Sequence, residues 1–114
     1  MKLSEAIRLG SMIRPQGFYS LMQGGKSCAL GAAIEATLEA GESKSSTVYK
    51  IWPWVYTSQY CPVCIMYLSS TQAITHLNDI HRWTRERIAD WVETIEPKEV
   101  VKEEKKEVLE EVCV

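Results

Sequence analysis

Apolar residues recur at helical spacing near the start of the chain and predict a first helix over residues 3–13. Ser4 is its candidate N-cap, because a serine side chain can accept a hydrogen bond from a free N–H group of the first turn. Pro15 and Gly17 end the pattern. The side chains expected on one face of this helix are Leu3, Ala6, Ile7 and Ile13.

A second helix is predicted from Cys28 to about Ala40, with Ser27 as its cap and Gly41 beyond its end. Its larger apolar side chains are Leu30, Ile34 and Leu38, with Ala29, Ala32, Ala33 and Ala36 beside them. Because alanine is small, another element can approach this helix closely, and we expect the helix to pack in the core.

The stretches TVYKIW and VYTSQY are rich in β-branched and aromatic residues, and Pro53 divides them. Proline cannot donate a hydrogen bond to a β-ladder, so one long central strand is excluded. The pattern predicts two short strands or an irregular hairpin.

A last helix is predicted from a cap at Thr84 to about Glu96, where Pro97 ends it. Its apolar stripe consists of Ile88, Trp91, Val92 and Ile95. Residues 98–114 form a charged tail whose four-residue pairs are mostly of like charge, which weakens an isolated helix. We expect the tail to be a frayed helix or disordered.

Composition narrows the class of protein. The chain has 114 residues and is 46% hydrophobic, which suits one small domain with a core. Its net charge of −2 and pI near 5.7 differ from the basic surplus of a dedicated nucleic-acid binder. We find no signal-peptide pattern at MKLSEAIRLG and no apolar run of ~18 residues. We therefore expect a cytoplasmic protein without a membrane segment.

The stretch YCPVCIMYLSSTQAITHLNDIH carries the strongest chemical signal in the chain. Cys61 and Cys64 form a CxxC pair, eleven residues separate Cys64 from His76, and four more separate His76 from His81. Two thiolates and two imidazoles are a common ligand set for tetrahedral Zn²⁺. The only two histidines of the chain both fall in this window. The sequence therefore predicts one zinc ion held by these four side chains.

Four protein ligands would close such a site. No coordination position is left for water or substrate, so the pattern predicts a structural zinc ion and a protein that is not an enzyme. Asp79 lies close by in sequence, but we interpret it as a solvated helix residue rather than a general base.

Residues 61–81 resemble the ligand pattern of Cys2His2 zinc fingers. The spacing between the cysteine pair and the first histidine is one residue shorter than the usual ~12. Leu68 and Ile74 can take the two core positions of that family. The resemblance implies the ligand set more strongly than it implies the exact ββα geometry.

We therefore predict a mainly α, small α+β fold with a short β-hairpin and a finger-like metal site. Residues 1–97 are predicted to form one compact zinc-stabilised domain. It comprises N-terminal helices in 3–40, a finger-like segment over 47–82 and a helix over 84–96. The two halves are expected to pack through Ile7, Leu30, Ile34, Trp83, Trp91 and Ile95.

Nucleic-acid binding is one alternative function. Arg82, Arg85 and Arg87 cluster directly after the second histidine, and WTRERIADWV resembles the first helix of a helix-turn-helix. An arginine cluster on an exposed helix face could contact phosphates. No second recognition helix follows, and three arginines on such a face are more often simply solvated.

A thiol–disulfide oxidoreductase is a third hypothesis. CPVC resembles the dithiol motif of glutaredoxins and thioredoxins, and this resemblance makes Cys61 the nucleophile and Cys64 the resolving thiol. Those folds need further strands after the motif, and the pattern downstream of Cys64 indicates helices.

The segment GGKS resembles part of a phosphate-binding loop, but the full pattern requires a glycine where Ser20 stands. A weaker hypothesis places Gly25, Lys26 and Ser27 at a helix start that binds an anion and lowers the pKa of Cys28. A helix cap and a buried thiol are the plainer interpretation.

Several segments together, SEAIRLG, SCALGAAIEA, CPVC and HLNDIHRWTRERIADWVE, resemble small uncharacterised proteins of prokaryotes and their phages. That resemblance implies no activity. We expect a binding or regulatory module whose partner is another protein, with nucleic acid as the alternative.

Overall fold

The computed structural model describes residues 1–42 and 47–97. The predictions for the charged tail, residues 98–114, lie outside these residues. In chain order the elements are α1 (Leu3–Gly10), β1 (Met22–Gln23), β2 (Lys26–Ser27), α2 (Ala29–Glu39), α3 (Val48–Ile51), a 3-10 helix (Pro53–Tyr56), β3 (Ser58–Tyr60), β4 (Tyr67–Ser69), α4 (Ser70–Asp79) and α5 (Arg85–Ile95).

The fold is a small α+β structure, as the sequence predicts. Helices predominate among the described residues, and β1 with β2 and β3 with β4 form two short antiparallel hairpins. The first hairpin, closed at Gly24 and Gly25, was not predicted. None of the described helices is long and apolar enough to cross a membrane.

Helices α1 and α2 pack closely because small residues face each other. A Cβ atom added to Gly10 would lie 1.8 Å from the backbone oxygen of Ala32, so only glycine permits this approach. Ala29, Ala32 and Ala33 of α2 are fully buried. The expectation that the alanines of α2 allow a close neighbour is confirmed.

Both predicted N-caps of these helices are wrong. Helix α1 starts after Lys2, and Ser4 is a buried residue within its first turn. The cap of α2 is Cys28, whose sulfur accepts a hydrogen bond from the N–H group of Gly31. One N–H group at the start of α1, that of Ser4, is instead satisfied by a distant residue. The carboxylate of Glu96 accepts hydrogen bonds from both the N–H and the hydroxyl of Ser4.

The segment before the cysteine pair is helical, which corrects the prediction of a strand in TVYKIW. Val48, Trp52 and Val55 are its buried residues, and their spacing is that of one helical face. Pro53 occupies the first turn of the 3-10 helix, where its missing N–H group costs nothing. Only the end of VYTSQY forms a strand, and that strand pairs with residues after the cysteines.

One buried apolar cluster joins both halves of the chain. The fully buried side chains of Leu3, Ile7, Ile74, Leu77 and Ile88 belong to it. Of the predicted packing residues, Ile7, Leu30 and Ile34 are buried, Trp83 and Trp91 pack against the cluster from partly buried positions, and Ile95 is half-buried. Helix α5 begins at its Thr84 cap as predicted.

Candidate metal centre

The β3–β4 hairpin positions the two cysteines in a tight turn. The N–H of Cys61 donates to the carbonyl of Met66, and the N–H of Ile65 donates back to the carbonyl of Cys61. This geometry places Ile65 in the left-handed region with φ 56°. A β-branched residue is strained there, so the surrounding structure must hold the turn closed.

Helix α4 and the turn after it position the two histidines. The helix starts with a capping box, in which Ser69 accepts from the backbone of Gln72 and Gln72 accepts from the backbone of Ser69. His76 lies within the helix, and His81 follows its end. The N–H of His81 still donates to the carbonyl of His76, and the two imidazole rings lie next to each other.

The four predicted ligands converge. One donor atom from each of Cys61, Cys64, His76 and His81 lies within 4.8 Å of every other. The sulfur of Cys64 is 3.2 Å from Nε2 of His76, and the two imidazole rings meet edge to face with centroids 4.6 Å apart. These side chains are near enough to hold a metal ion.

The surroundings of the His81 ring indicate whether these four side chains suit a metal ion. Its Nε2 atom is buried and has no hydrogen-bond partner among residues 1–42 and 47–97. A buried ring nitrogen without a partner costs roughly 1–3 kcal/mol. A metal ion bound by this nitrogen would remove that cost, so the side chains present fit a cation.

The cysteine turn lowers the pKa of the Cys61 thiol. Burial raises the pKa of its thiol, but hydrogen bonds from the backbone of Cys64 and Val63, together with the Cys64 side chain, outweigh burial and lower the pKa below its ordinary value. Because a metal binds the deprotonated sulfur, this environment favours the form a ligand requires.

A buried polar network ties the histidine-bearing helix to the N-terminal half. Asn78 is fully buried between the two histidines in sequence. Its oxygen accepts from the Gln16 side chain and from the backbone of Ala29, and its nitrogen donates to Gly17. Asp79, interpreted from the sequence as solvated, is in fact buried and accepts from Asn78 and the backbone of Tyr19.

The three arginines do not form one exposed cluster, and the prediction is wrong for Arg85. That guanidinium is buried and donates to the Ser27 hydroxyl and to the carbonyls of Ser27, Ser11 and Arg14. The other two point elsewhere, as Arg82 lies 4.1 Å over the ring of Phe18 and Arg87 lies 3.9 Å over the ring of Trp83.

The hypothesis of an anion site required Gly25, Lys26 and Ser27 to lie at the start of a helix. The GGKS segment instead forms a hairpin, so this hypothesis is wrong. Gly24 and Gly25 close the β1–β2 hairpin, and Lys26 and Ser27 form the second strand. Burial raises the pKa of the Cys28 thiol instead of lowering it. Cys28 is therefore a buried cap residue, in line with the plainer interpretation.

Comparisons with protein-family models, curated proteins and solved structures find no match to this chain. The resemblances to zinc fingers and to small prokaryotic and phage proteins therefore receive no support from relatives. The candidate metal centre depends on the geometry of the four side chains alone.

Proposed function

We propose that this protein binds one structural zinc ion through Cys61, Cys64, His76 and His81 and acts as a protein-interaction or regulatory module. The observation that carries the proposal is the convergence of the four donor atoms within 4.8 Å. One of them, Nε2 of His81, has no hydrogen-bond partner within the described part of the chain. Nothing else in the described residues gathers cysteine and histidine side chains in this way.

The ligand chemistry favours zinc over harder cations. Zn–S bonds of about 2.3 Å and Zn–N bonds of about 2.0 Å place tetrahedral ligand atoms roughly 3.3–3.8 Å apart. The 3.2 Å contact between Cys64 and His76 is close to that range. Calcium and magnesium prefer oxygen ligands, and this group offers none.

A structural role is supported by the poor burial of the hairpin. From Thr57 to Tyr67, Cys61 is the only buried residue. A two-stranded hairpin is marginally stable in water, and this one has almost no core of its own. A metal bound by two hairpin cysteines and two histidines at α4 would fasten the hairpin to the helix. The order strand, turn, strand, helix is also that of Cys2His2 fingers.

An interaction role is supported by the surface around the site. No aspartate, glutamate, lysine or arginine occurs between Lys50 and Asp79, although 25% of the whole chain is charged. Large apolar side chains are exposed in that interval. Depletion of charge with exposed tyrosine and methionine is typical of the centre of a protein interface.

Metal content of the purified protein tests the metal proposal. We expect one equivalent of zinc by elemental analysis, and we expect added Co²⁺ to give the intense visible absorption of a tetrahedral thiolate site. Cys64→Ser should lose both signals. Cys28→Ser is the matched control, because it makes the same chemical change at a helix cap where serine is favoured.

The control should keep the metal and the cobalt spectrum. A native protein that binds no zinc, or a Cys64→Ser variant that binds it as tightly as the native chain, would contradict the proposal.

The two alternative functions receive less support. For an oxidoreductase, Cys61 would have to be an accessible nucleophile, yet Cys61 is buried and Cys64 is exposed. For nucleic-acid binding, Arg85 is committed to internal carbonyl groups, which leaves Arg82 and Arg87 as the candidate phosphate contacts. Steep salt-dependent retention on DNA would favour that alternative.

A further inference from the structure

A cavity of about 530 Å³, which we call the tyrosine cavity, lies against helix α4. Thr71, Thr75 and Asp79 line it at four-residue spacing along the helix. Near Thr71, the hydroxyl of Tyr49 lies 3.1 Å from the threonine hydroxyl, and near Asp79 the cavity is lined by Tyr19. Cavities of roughly 300–1,000 Å³ are the size that holds small ligands in proteins. The tyrosine cavity is therefore large enough for a ligand of several heavy atoms.

Asp79 gives this cavity its charge. It is the only carboxylate that lines the tyrosine cavity, and no lysine or arginine of the described residues lines it. Asp79 is only 7% exposed. Its Oδ1 atom accepts hydrogen bonds from the Asn78 side chain at 2.7 Å and from the backbone N–H of Tyr19 at 3.0 Å. Among residues 1–42 and 47–97, no donor reaches the second oxygen, Oδ2.

The second carboxylate oxygen can be reached from the cavity. Within the described part of the chain, Nε2 of His81 is the one buried side-chain nitrogen or oxygen without a hydrogen-bond partner. Because Oδ2 of Asp79 also lacks a partner, it must keep some accessible surface, and Asp79 lines the cavity. A ligand that enters the tyrosine cavity therefore meets a carboxylate oxygen that no protein group occupies.

The carboxylate of Asp79 also lacks a positive partner. No lysine, arginine or histidine in residues 1–42 and 47–97 forms an ion pair with it. Arg82 is directed to aromatic rings instead, with its guanidinium 4.1 Å from the centroid of Phe18 and 5.6 Å from that of Tyr19. A largely buried charge without a partner is costly, so a cation bound in the cavity would be stabilised.

The rest of the lining favours an organic cation over a metal ion. Calcium and magnesium need about six or more oxygen ligands, and one carboxylate does not supply them. Tyr19, Tyr49 and Leu68 contribute aromatic and apolar surface, which suits the carbon chain of a ligand. The hydroxyl groups of Thr71 and Thr75 add polar atoms along the helix.

We propose that the tyrosine cavity binds an organic cation, namely an ammonium or guanidinium group carried on a short aliphatic chain. Oδ2 of Asp79 would accept a charge-assisted hydrogen bond from the cation, and the chain would lie along α4 towards Tyr49. Lysine and arginine side chains end in these groups, and free small molecules also carry them. This site goes beyond the proposed metal centre, since its charge comes from Asp79 and not from a metal ligand.

Titration with butylguanidinium, followed by the amide NMR signals of the native protein, tests the proposal. We expect a dissociation constant of roughly 1 mM, with the largest shifts at Tyr19, Thr75 and Asp79. Butylurea is the matched control ligand, because it has the same shape and no charge. It should bind about tenfold more weakly or not at all. Equal binding of the two ligands, or no binding of butylguanidinium, would overturn the proposal.

Asp79→Asn removes the charge and keeps an oxygen that can accept from Asn78 and Tyr19. It should raise the dissociation constant of butylguanidinium about tenfold or more. Asp90→Asn is the matched control, because it removes the same charge from α5, where the carboxylate pairs with Arg8 outside the cavity. This control should bind as the native protein does. Equal affinities in the two variants would contradict a role for Asp79.

Thr75→Phe provides a second variant of the cavity that leaves the carboxylate in place. Thr75 is an exposed residue of α4, so the helix should tolerate the larger side chain, which would fill part of the cavity. We expect binding of butylguanidinium to be lost. Unchanged binding in this variant would show that the ligand does not enter the tyrosine cavity.

A peptide distinguishes the two sources of the cation. The probe is the tripeptide Gly-Arg-Gly with both ends blocked. Binding at least as tight as that of butylguanidinium, and lost in Asp79→Asn, would assign the cavity to a basic side chain of a partner protein. Binding of butylguanidinium without binding of the peptide would assign it to a free small molecule.

Zinc content measured on the same samples separates this proposal from the metal centre, which is needed because His76 lines the cavity as well. Protein that holds zinc and does not bind butylguanidinium removes the cation site and leaves the metal centre. Protein that binds butylguanidinium without zinc removes the metal centre and keeps the cation site.

Discussion

The N-terminal helices and the cysteine hairpin bury their residues to very different extents. Every residue from Ser27 to Thr37 is buried, whereas between Thr57 and Tyr67 only Cys61 is. The helices come close enough for a backbone contact at Gly10, and they need no ligand to do so. The hairpin has no comparable packing, so its position must come from its ends and from the four converging side chains. Apolar contact holds the first region, whereas the second region depends on metal coordination in the function that we propose.

Removal of the metal should have the largest effect and should separate the two regions. A strong chelator is expected to lower the free energy of unfolding by several kcal/mol, since structural zinc in finger peptides contributes on the order of 10 kcal/mol. Hydrogen exchange should show lost amide protection in β3 and β4 and retained protection in α2. Equal protection before and after chelation would show that the hairpin does not depend on metal.

Gly10→Ala should be the most damaging single change in the helical region. The added methyl group would meet the backbone of Ala32, and the helices must separate at a cost of about 3 kcal/mol. Chemical unfolding of the metal-bound protein measures this loss. Gly24→Ala is the control, because Gly24 has a positive φ but open space around it, and its cost should be about 1 kcal/mol. Similar losses in both variants would contradict close packing at Gly10.

Asn78→Ala should weaken the connection between the regions. It removes the acceptor for Gln16 and Ala29 and leaves the Gly17 carbonyl without its donor, at a cost of about 2 kcal/mol. Thr75→Ala, on an exposed position of the same helix, should stay within about 0.5 kcal/mol of the native protein. Equal stability of the two variants would show that the network is unimportant.

Ile65→Gly should produce the smallest effect, and in the opposite direction. Glycine adopts a φ of 56° without strain, so the metal-bound variant should be more stable by about 1 kcal/mol. Val63→Gly is the control from the same turn, where no positive φ exists to relieve, and it should lower stability. A loss in both variants would argue against strain at Ile65.

Periodicity was sufficient to predict the presence of α1, α2 and α5. Helix α1 ends at Gly10, so the predicted extension to Ile13 is wrong, and α2 is buried on all sides up to Thr37 rather than on one apolar face. The prediction failed over TVYKIW, where β-branched and aromatic composition was given more weight than the helical spacing of Val48, Trp52 and Val55. That spacing was visible in the sequence. The capping box at Ser69 and Gln72 was visible too, and it would have located the start of α4.

Contacts between distant parts of the chain could not be predicted in this way. Glu96 accepts hydrogen bonds from Ser4, which is 92 positions away in the sequence. The guanidinium of Arg85 donates hydrogen bonds to the carbonyl groups of Ser11, Arg14 and Ser27. Neither of these contacts is marked by a motif in the sequence around the residues that make it. Arg85 was grouped with Arg82 and Arg87 because the three are neighbours in sequence, although only the fold determines which of them reaches water.

The sequence by itself determined the ligand types, their spacing and the helices that carry most of the core, since these depend on local chemistry and on one-dimensional periodicity. Tertiary structure decided that the four candidate ligands meet within 4.8 Å and that Asn78 joins the two regions. It also decided that the Nε2 atom of His81 is buried with no partner among residues 1–42 and 47–97. Those facts depend on the relative placement of segments tens of residues apart. That placement is set by packing and by the burial of polar groups, and no short stretch of the chain encodes it alone.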